Sequence, residues 1–226
     1  MLAAAGFDGV IVENGGDAPF LPPDDVSHET VAALSVVVAQ LTKEQNIPIG
    51  VNCLGNAVEA SLAAAIAGGG SFVRANQWVN AYVANEGFVE GRAGRSLRYR
   101  RSIGAESVTV WADVCVKLGS HSITADRSLE EQARDAAFFD ADALIVTGSR
   151  LADPPITQDV GIIQRATDLA VVVGSGVTHE NVASLFAHAD AAIVGSALKV
   201  DGVWWNELSD MALKQLVEAR DTAVDQ

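Results

Sequence analysis

Cysteine is scarce: Cys53 and Cys115 are the only two in 226 residues, they lie far apart, and they form no CxxC pair. That excludes a disulfide framework, offers no structural zinc motif, and fits a reducing cytoplasm. No apolar run approaches the ~20 residues that a membrane span requires. The opening residues, MLAAAGFDG, lack the basic and apolar regions of a signal peptide. Lysine is also rare, with four (Lys43, Lys117, Lys199, Lys214) against eleven arginines, and the formal net charge is −14. Such a balance argues against general nucleic-acid binding, which needs a positive surface. The four histidines (His28, His121, His179, His188) form no HxH or HxxxH pair, and only His121 falls near the residues singled out below. The expectation is a cytoplasmic protein with neither a nucleic acid nor a membrane as partner.

What is present is a globular composition, 49% hydrophobic and 19% charged. Aspartates outnumber glutamates seventeen to twelve. An Asp-rich, Lys-poor, Ala-rich surface suits a protein adapted to high salt, where carboxylates hold water; an acidic protein from a GC-rich genome would show it as well. Charge of this kind concerns solubility and not fold.

Short Val- and Ile-rich runs recur at 9–13, 48–52, 72–76, 108–114, 143–148, 170–176 and 191–198. Each is apolar throughout, as strands buried on both faces of a parallel sheet are. Helical stretches separate or follow them at 28–45, 57–67, 92–103, 128–139, 159–167, 179–187 and 207–224, with start signals at Ser27 and in the pair Ser128 and Glu131. Strand and helix alternate without a linker, which predicts one α/β domain over 1–226. All seven strands end in small or polar residues. A doubly wound sheet would gather those at one switch point, whereas a (β/α)8 TIM barrel carries its active site around that whole rim. A barrel has eight strands, and MLAAAG reads as the last turn of a helix capped by Gly6. The visible strands are therefore expected to be strands 2 to 8, with strand 1 and most of helix 1 lacking. The stretch IVENGGDAPF, residues 11–20, is then the second strand and the loop at its functional end.

The strongest local signal lies in the last two strands. VGSGVTHEN and IVGSALK place Gly174, Ser175, Gly176 and then Gly195, Ser196 at consecutive strand ends, where barrels that take phosphorylated ligands hold the phosphate on backbone N–H groups. Glycine and serine also simply make tight turns. In ADVCVKL, strand alternation points Asp113, Cys115 and Lys117 the same way. Asp113 and Lys117 could act as acid and base, Lys117 could neutralise an anion or form a Schiff base, or the two could close the barrel top as a salt bridge. Cys115 reads as a small buried hydrophobe. Glu13, Asn52, Arg74 and Asn76 end the three preceding strands, and burying such groups without partners is costly. Asn14, Asp17, Thr147 and Ser149 would join the same rim. No metal-ligand spacing is present, so no cofactor is expected, although a divalent ion held by Glu13 with Asp17 or Asp113 stays open. About fifteen residues between the strand at 72–76 and its helix exceed the usual ~2–6 of such loops and carry Trp78 and Tyr82, as a lid would. Five arginines follow: Arg92, placed to reach an anionic ligand, then Arg95, Arg98, Arg100 and Arg101, suited to surface pairs or an acidic neighbour.

GFDGVIVENGGDAPF, PIGVNCLGNA, FVRAN, EGRAGRSLRYRR, WADVCVK, ALIVTG, VVVGSGVTHEN and AAIVGSALKVDG together resemble the BtpA family over nearly the whole chain, and VENGGDAPF and EGRAGRSLRYRR are its specific segments. The resemblance implies a barrel of the ribulose-phosphate-binding superfamily with a first strand ahead of residue 1. The family's namesake is associated with photosystem I biogenesis, while other members occur without photosynthesis. The chain departs from the family pattern at Gly55 and Ala57, where an arginine and an aspartate are usual, and at Leu118, where a histidine is usual. Two expectations follow. One is a barrel that binds or acts on a small sugar or nucleoside phosphate, with Glu13, Asp113 and Lys117 as catalytic groups in a lyase, isomerase or hydrolase step. The other is a non-catalytic assembly factor that holds protein partners, for example through its arginine helix. A homo-oligomer is compatible with either.

Overall fold

The computed structural model describes residues 1–224. Its main sheet is parallel and contains β1 (Val10–Glu13), β2 (Ile49–Asn52), β3 (Phe72–Ala75), β6 (Thr109–Val114), β7 (Ala143–Val146), β8 (Ala170–Val173) and β9 (Ala191–Ala192), in that spatial order. Two further strands, β4 (Ala81–Ala84) and β5 (Gly87–Glu90), form a separate hairpin. Around the sheet lie α1 (Leu2–Ala5), α2 (His28–Glu44), α3 (Val58–Gly68), α4 (Ala93–Ser102), α5 (Leu129–Phe138), α6 (Thr157–Ala166), α7 (Val182–Phe186) and α8 (Asp210–Val224). The strand order never reverses. With right-handed crossovers, every connection then steps the same way round and the helices stay on one face, which is the curl of a barrel and not of a doubly wound sheet. Seven staves are present, and β1 and β9 are not paired to each other. A cavity of about 730 Å³ opens at this seam, lined by Phe7, Ile11, Trp111, Ile193 and Leu216 among others.

The apolar runs give strands because both faces of the sheet are covered. β2, β3 and β7 are buried along their whole length, while the edge strands β1 and β9 are only partly so. Outward residues such as Val51, Val73, Val110, Leu144 and Val171 pack under the helices with Leu62, Ile163 and Leu213. Inward, Phe72 stacks on Trp111 at 4.1 Å, and Ile145, Val172 and Ile193 fill the interior. Gly50 makes room for that stack, since a methyl group there would lie 2.3 Å from the Phe72 ring. The period-2 alternation that points Phe72 and Trp111 inward also points Arg74 and Asp113 inward, two residues further along. Local chemistry fixes the helix ends: Ser128 and Glu131 close a reciprocal capping box, and Gly6 ends α1 at φ 99°.

The fifteen-residue insertion is a hairpin and not a free lid. Val83 and Ser120 exchange backbone hydrogen bonds of 3.0 and 2.8 Å, tying the hairpin to the loop after β6. Trp78, 1% exposed, belongs to the main core and donates through Nε1 to the Phe139 carbonyl at 2.9 Å. Tyr82 is also buried, stacked on His121. The last strand is shorter than the run 191–198 suggests, because the chain leaves the sheet after Ala192 and turns at Gly195 into a short 3-10 helix. Trp78→Ala is expected to destabilise the protein by about 3–5 kcal/mol in denaturant unfolding. Phe88→Ala, on the exposed face of the same hairpin, should change stability by less than about 0.5 kcal/mol. Equal stabilities for the two variants would mean that Trp78 is not a core residue.

Candidate functional site

The inward face delivers a connected polar cluster to the C-terminal ends of β1, β2, β3 and β6. Arg74, 5% exposed, donates from Nε to both oxygens of Asp113 at 3.2 Å and from Nη2 to Oδ2 at 3.0 Å. Asn76 adds a bond of 3.1 Å to the same Oδ2. On the other side, Arg74 Nη1 lies 3.9 Å from Glu13 Oε1, which also accepts from Asn52 Nδ2 at 2.9 Å. Glu13 and Asn52 are direct partners in the β1–β2 register. The second amide atom of Asn52, Oδ1, is buried without a partner. Burial alone would lower the Arg74 pKa, but Asp113 and Glu13 hold it above the ordinary arginine value. The guanidinium fills the space between the two carboxylates, so Glu13 and Asp113 do not converge on a cation. Asp17 accepts from Asn14 and Thr30, both at 3.0 Å. Among the described residues no group of three or more His, Cys, Asp or Glu side chains gathers as a metal site would require.

Lys117 reaches this cluster from the loop after β6, where its Nζ donates to the Gly174 carbonyl at 3.4 Å. Burial and the neighbouring Arg74 depress its pKa, and Asp113 and Glu13 only partly oppose them. Thr147 Oγ1 accepts from the Lys117 backbone N–H at 2.9 Å and so anchors the loop that carries it. Lys117, Thr147 and Asp153 also line a cavity of about 460 Å³ between the loops after β6 and β7. Cys115 does not share this side: at φ 54° it leaves the strand's alternation, and its Sγ meets Gln132 Oε1 at 3.3 Å. Burial raises both thiol pKa values, that of Cys53 to about 11 with Asp17 adding to the effect, so neither is a ready thiolate.

The two Gly-Ser segments follow β8 and β9, which are neighbours in the sheet. The backbone N–H groups of Ser175, Gly176, Gly195 and Ser196 donate to no carbonyl among the described residues, and the Ser175 and Ser196 hydroxyls are likewise unengaged there. Gly174 has a different task. Its N–H already bonds the Val146 carbonyl at 2.8 Å, and its bare Cα lets Ile145 and Arg74 pack close. Gly176, at φ 64°, turns the chain tightly against Pro154. Asn181 then closes the loop by bonding both the Thr178 N–H and the Gly176 carbonyl at 2.8 Å.

Several rim candidates hold loops together. Asn14 Oδ1 takes the Leu54 N–H at 2.7 Å, and Arg92 pairs with Asp24 at 2.7 Å and Glu90 at 3.3 Å. Ser149 is exposed, and its carbonyl receives the Leu118 N–H at 3.1 Å. The arginine helix is neutralised in part, Arg95 by Asp24 and Glu59 and Arg100 by Asp142, while Arg98 and Arg101 are exposed. Sequence reasoning passed over Asn56, whose amide grips the Gln77 backbone at 2.9 Å in both directions; its φ of 61° is the backbone signature of that turn. At Gly55 a methyl group would lie 2.1 Å from the Leu21 carbonyl, so no larger side chain fits there as the loops stand.

The BtpA family profile matches residues 1–222. The chain belongs to the BtpA family. Among relatives, an uncharacterized mitochondrial protein of Caenorhabditis elegans is 36% identical over 222 residues, covering 96% of this chain and 79% of its own length. The photosystem I biogenesis protein BtpA of Synechocystis sp. is 33% identical over 229 residues, covering 96% and 75%. Thiamine phosphate pyrophosphorylase from Pyrococcus furiosus superposes with a TM-score of 0.62 at 17% identity, over 99% of this chain and 87% of that one. A phosphoribosylanthranilate isomerase from Thermotoga maritima gives 0.62 at 13%, over 98% and 91%. At such identities the likeness concerns the fold, and these neighbours share the TIM-barrel architecture. In this BtpA-family chain no helix among the described residues is long and apolar enough to cross a membrane.

Removing one member of the buried pair should expose its energetic role. Asp113→Ala leaves Arg74 with only the 3.9 Å approach of Glu13 and is expected to cost about 3–5 kcal/mol in denaturant unfolding. The double change Arg74→Met with Asp113→Leu should recover most of that loss. A single variant as stable as the parent would show that the pair contributes nothing.

Proposed function

We propose that this BtpA-family barrel binds a small phosphorylated metabolite, a sugar or nucleoside phosphate, at its C-terminal rim. The observation that carries the reading is the pair of adjacent Gly-Ser loops on β8 and β9. Among the described residues the N–H groups of Ser175, Gly176, Gly195 and Ser196 and the two serine hydroxyls are unspent, and two cationic side chains, Lys117 and Arg74, approach the base of the first loop at Gly174. Unspent donors beside fixed positive charge are what an anion needs. The fold alone supports no particular reaction. Asp113, with its carboxylate bonded by Arg74 and Asn76, serves as the brace of the site. Glu13, whose side chain is 37% exposed, and Lys117, with its depressed pKa, are the groups suited to moving a proton. The alternative, an assembly factor of the kind its Synechocystis relative is named for, has less support, since Arg95 and Arg100 of the helix it would use are already paired to Asp24, Glu59 and Asp142, which leaves Arg98 and Arg101 for a partner.

Thermal unfolding in molar KCl against inorganic phosphate and a panel of sugar and nucleoside phosphates tests this reading. A ligand at ~100 times its Kd should add about 2.7 kcal/mol, and Ser175→Asp should abolish the gain by placing a carboxylate in the anion's position. A cooperative melt that no compound shifts would remove the phosphate reading. The pH dependence has a defined sign. A phosphate favours charged Lys117, so affinity is full below that residue's lowered pKa and falls as pH rises through it, before the 10.5 of a free lysine is reached. Lys117→Arg should keep binding constant across that range, and an unchanged pH profile in the variant would exclude Lys117 from the anion's surroundings.

A further inference from the structure

The loop between β9 and α8 continues from the Gly195–Ser196 turn and displays two tryptophans. Trp204 is 46% exposed and Trp205 71%, with ring centroids 5.3 Å apart and planes at 83°. Presenting so much aromatic surface to water is costly, and a loop with nothing to gain from it would not be built rigidly. This one is. The Val200 N–H bonds the Glu207 carbonyl at 2.9 Å, Lys199 and Leu208 form an antiparallel bridge, and Asn206 Nδ2 ties back to the Val200 carbonyl at 3.0 Å. Its bend places Asp201 at φ 57°, a left-handed conformation unfavourable for a non-glycine residue and retained where the surroundings demand it.

The location is specific. Trp204 lies over the loop after β1, where a methyl group on Gly15 would come within 3.3 Å of its ring, and Gly15 is two residues beyond Glu13. The pair thus stands at the rim, against the loop that follows Glu13 and in the same connection as the Gly195–Ser196 turn. Aromatic faces attract planar rings through dispersion and offset stacking, and they do so whichever base is offered. The geometry points to a second half of the ligand site: Trp204, backed by Trp205, is the stacking platform for a planar heteroaromatic ring carried by the phosphorylated ligand, so that the ligand is a nucleoside phosphate and not a simple sugar phosphate. The inference rests on the phosphate reading above and sharpens it.

Tryptophan fluorescence of the full chain, titrated with adenosine 5′-monophosphate, uridine 5′-monophosphate, ribose 5-phosphate and adenosine, separates the two. The nucleotides are expected to bind on the order of tenfold more tightly than ribose 5-phosphate. Trp204→Leu should bring them down to the affinity of ribose 5-phosphate while leaving that compound unaffected, and Ser175→Asp should weaken all three phosphates. Wild-type protein that binds ribose 5-phosphate as well as either nucleotide would overturn the platform and leave the phosphate site standing. Adenosine binding that depends on Trp204, with Ser175→Asp without effect, would uphold the platform and overturn the phosphate site. No binding by any of the four would overturn both. Sedimentation velocity of the same variants adds a check: self-association that disappears with Trp204→Leu, without any loss of nucleotide affinity, would show that the tryptophans meet a second copy and would overturn the platform.

Discussion

The mouth of this barrel is organised by one guanidinium. Arg74 sits almost wholly buried between Asp113 on one side and Glu13 on the other, and each neighbour would be a desolvated or half-desolvated charge without it. Its fork spans β1, β3 and β6, three staves not all adjacent, so the pair constrains the curvature of the sheet as well as its charge. Asn76 and Asn52 each add one further donor, to Asp113 Oδ2 and Glu13 Oε1. A planar, permanently charged group with several donors can do this, and a lysine at position 74 could not match its bidentate grip.

The arrangement around Arg74 divides labour among residues that look alike in the sequence. Asp113 is held by Arg74 and Asn76, Lys117 is the cation with a lowered pKa, and Glu13 reaches further into solvent than Arg74 or Asp113. Glycines divide in the same way. Gly174 yields space to Arg74, Gly176 turns the chain against Pro154, and Gly195 meets no protein atom where a side chain would begin. Only the last is left facing open space, next to unspent donors.

The strands and helices were legible because their cause is local or periodic: continuous apolar runs need cover on both faces, and Ser27, Ser128 and Gly6 carry their capping chemistry in the sequence. The position of Glu13, Asn52, Arg74 and Asp113 at strand ends was legible, while the face each one takes is set by the register of the folded sheet. Cys115 escaped that logic because one positive φ after Val114 breaks the period, which no residue type announces. Trp78 looks like a lid residue in the sequence because hydrophobic residues in a long insertion look the same whether they cover a mouth or enter the core; the carbonyl of Phe139 that receives its N–H lies sixty-one residues away. The loop-holding roles of Asn14, Asp17 and Arg92 likewise depend on partners supplied by other loops, and strand-end position alone could not separate them from ligand-facing groups.

The shortness of β9 has a dynamic consequence. Among the described residues it pairs with β8 through a two-residue register of Val172 with Ala191 and Val173 with Ala192. Elements with so short a register open at lower free energy than the strands at the centre, and they open as cooperative units. The Gly195–Ser196 turn and the tryptophan loop both follow that strand, so their placement and the local opening of β9 draw on one conformational equilibrium. Amide-exchange protection of Ala191 to Ile193 therefore reports how much of the time those two loops hold their positions in the free protein.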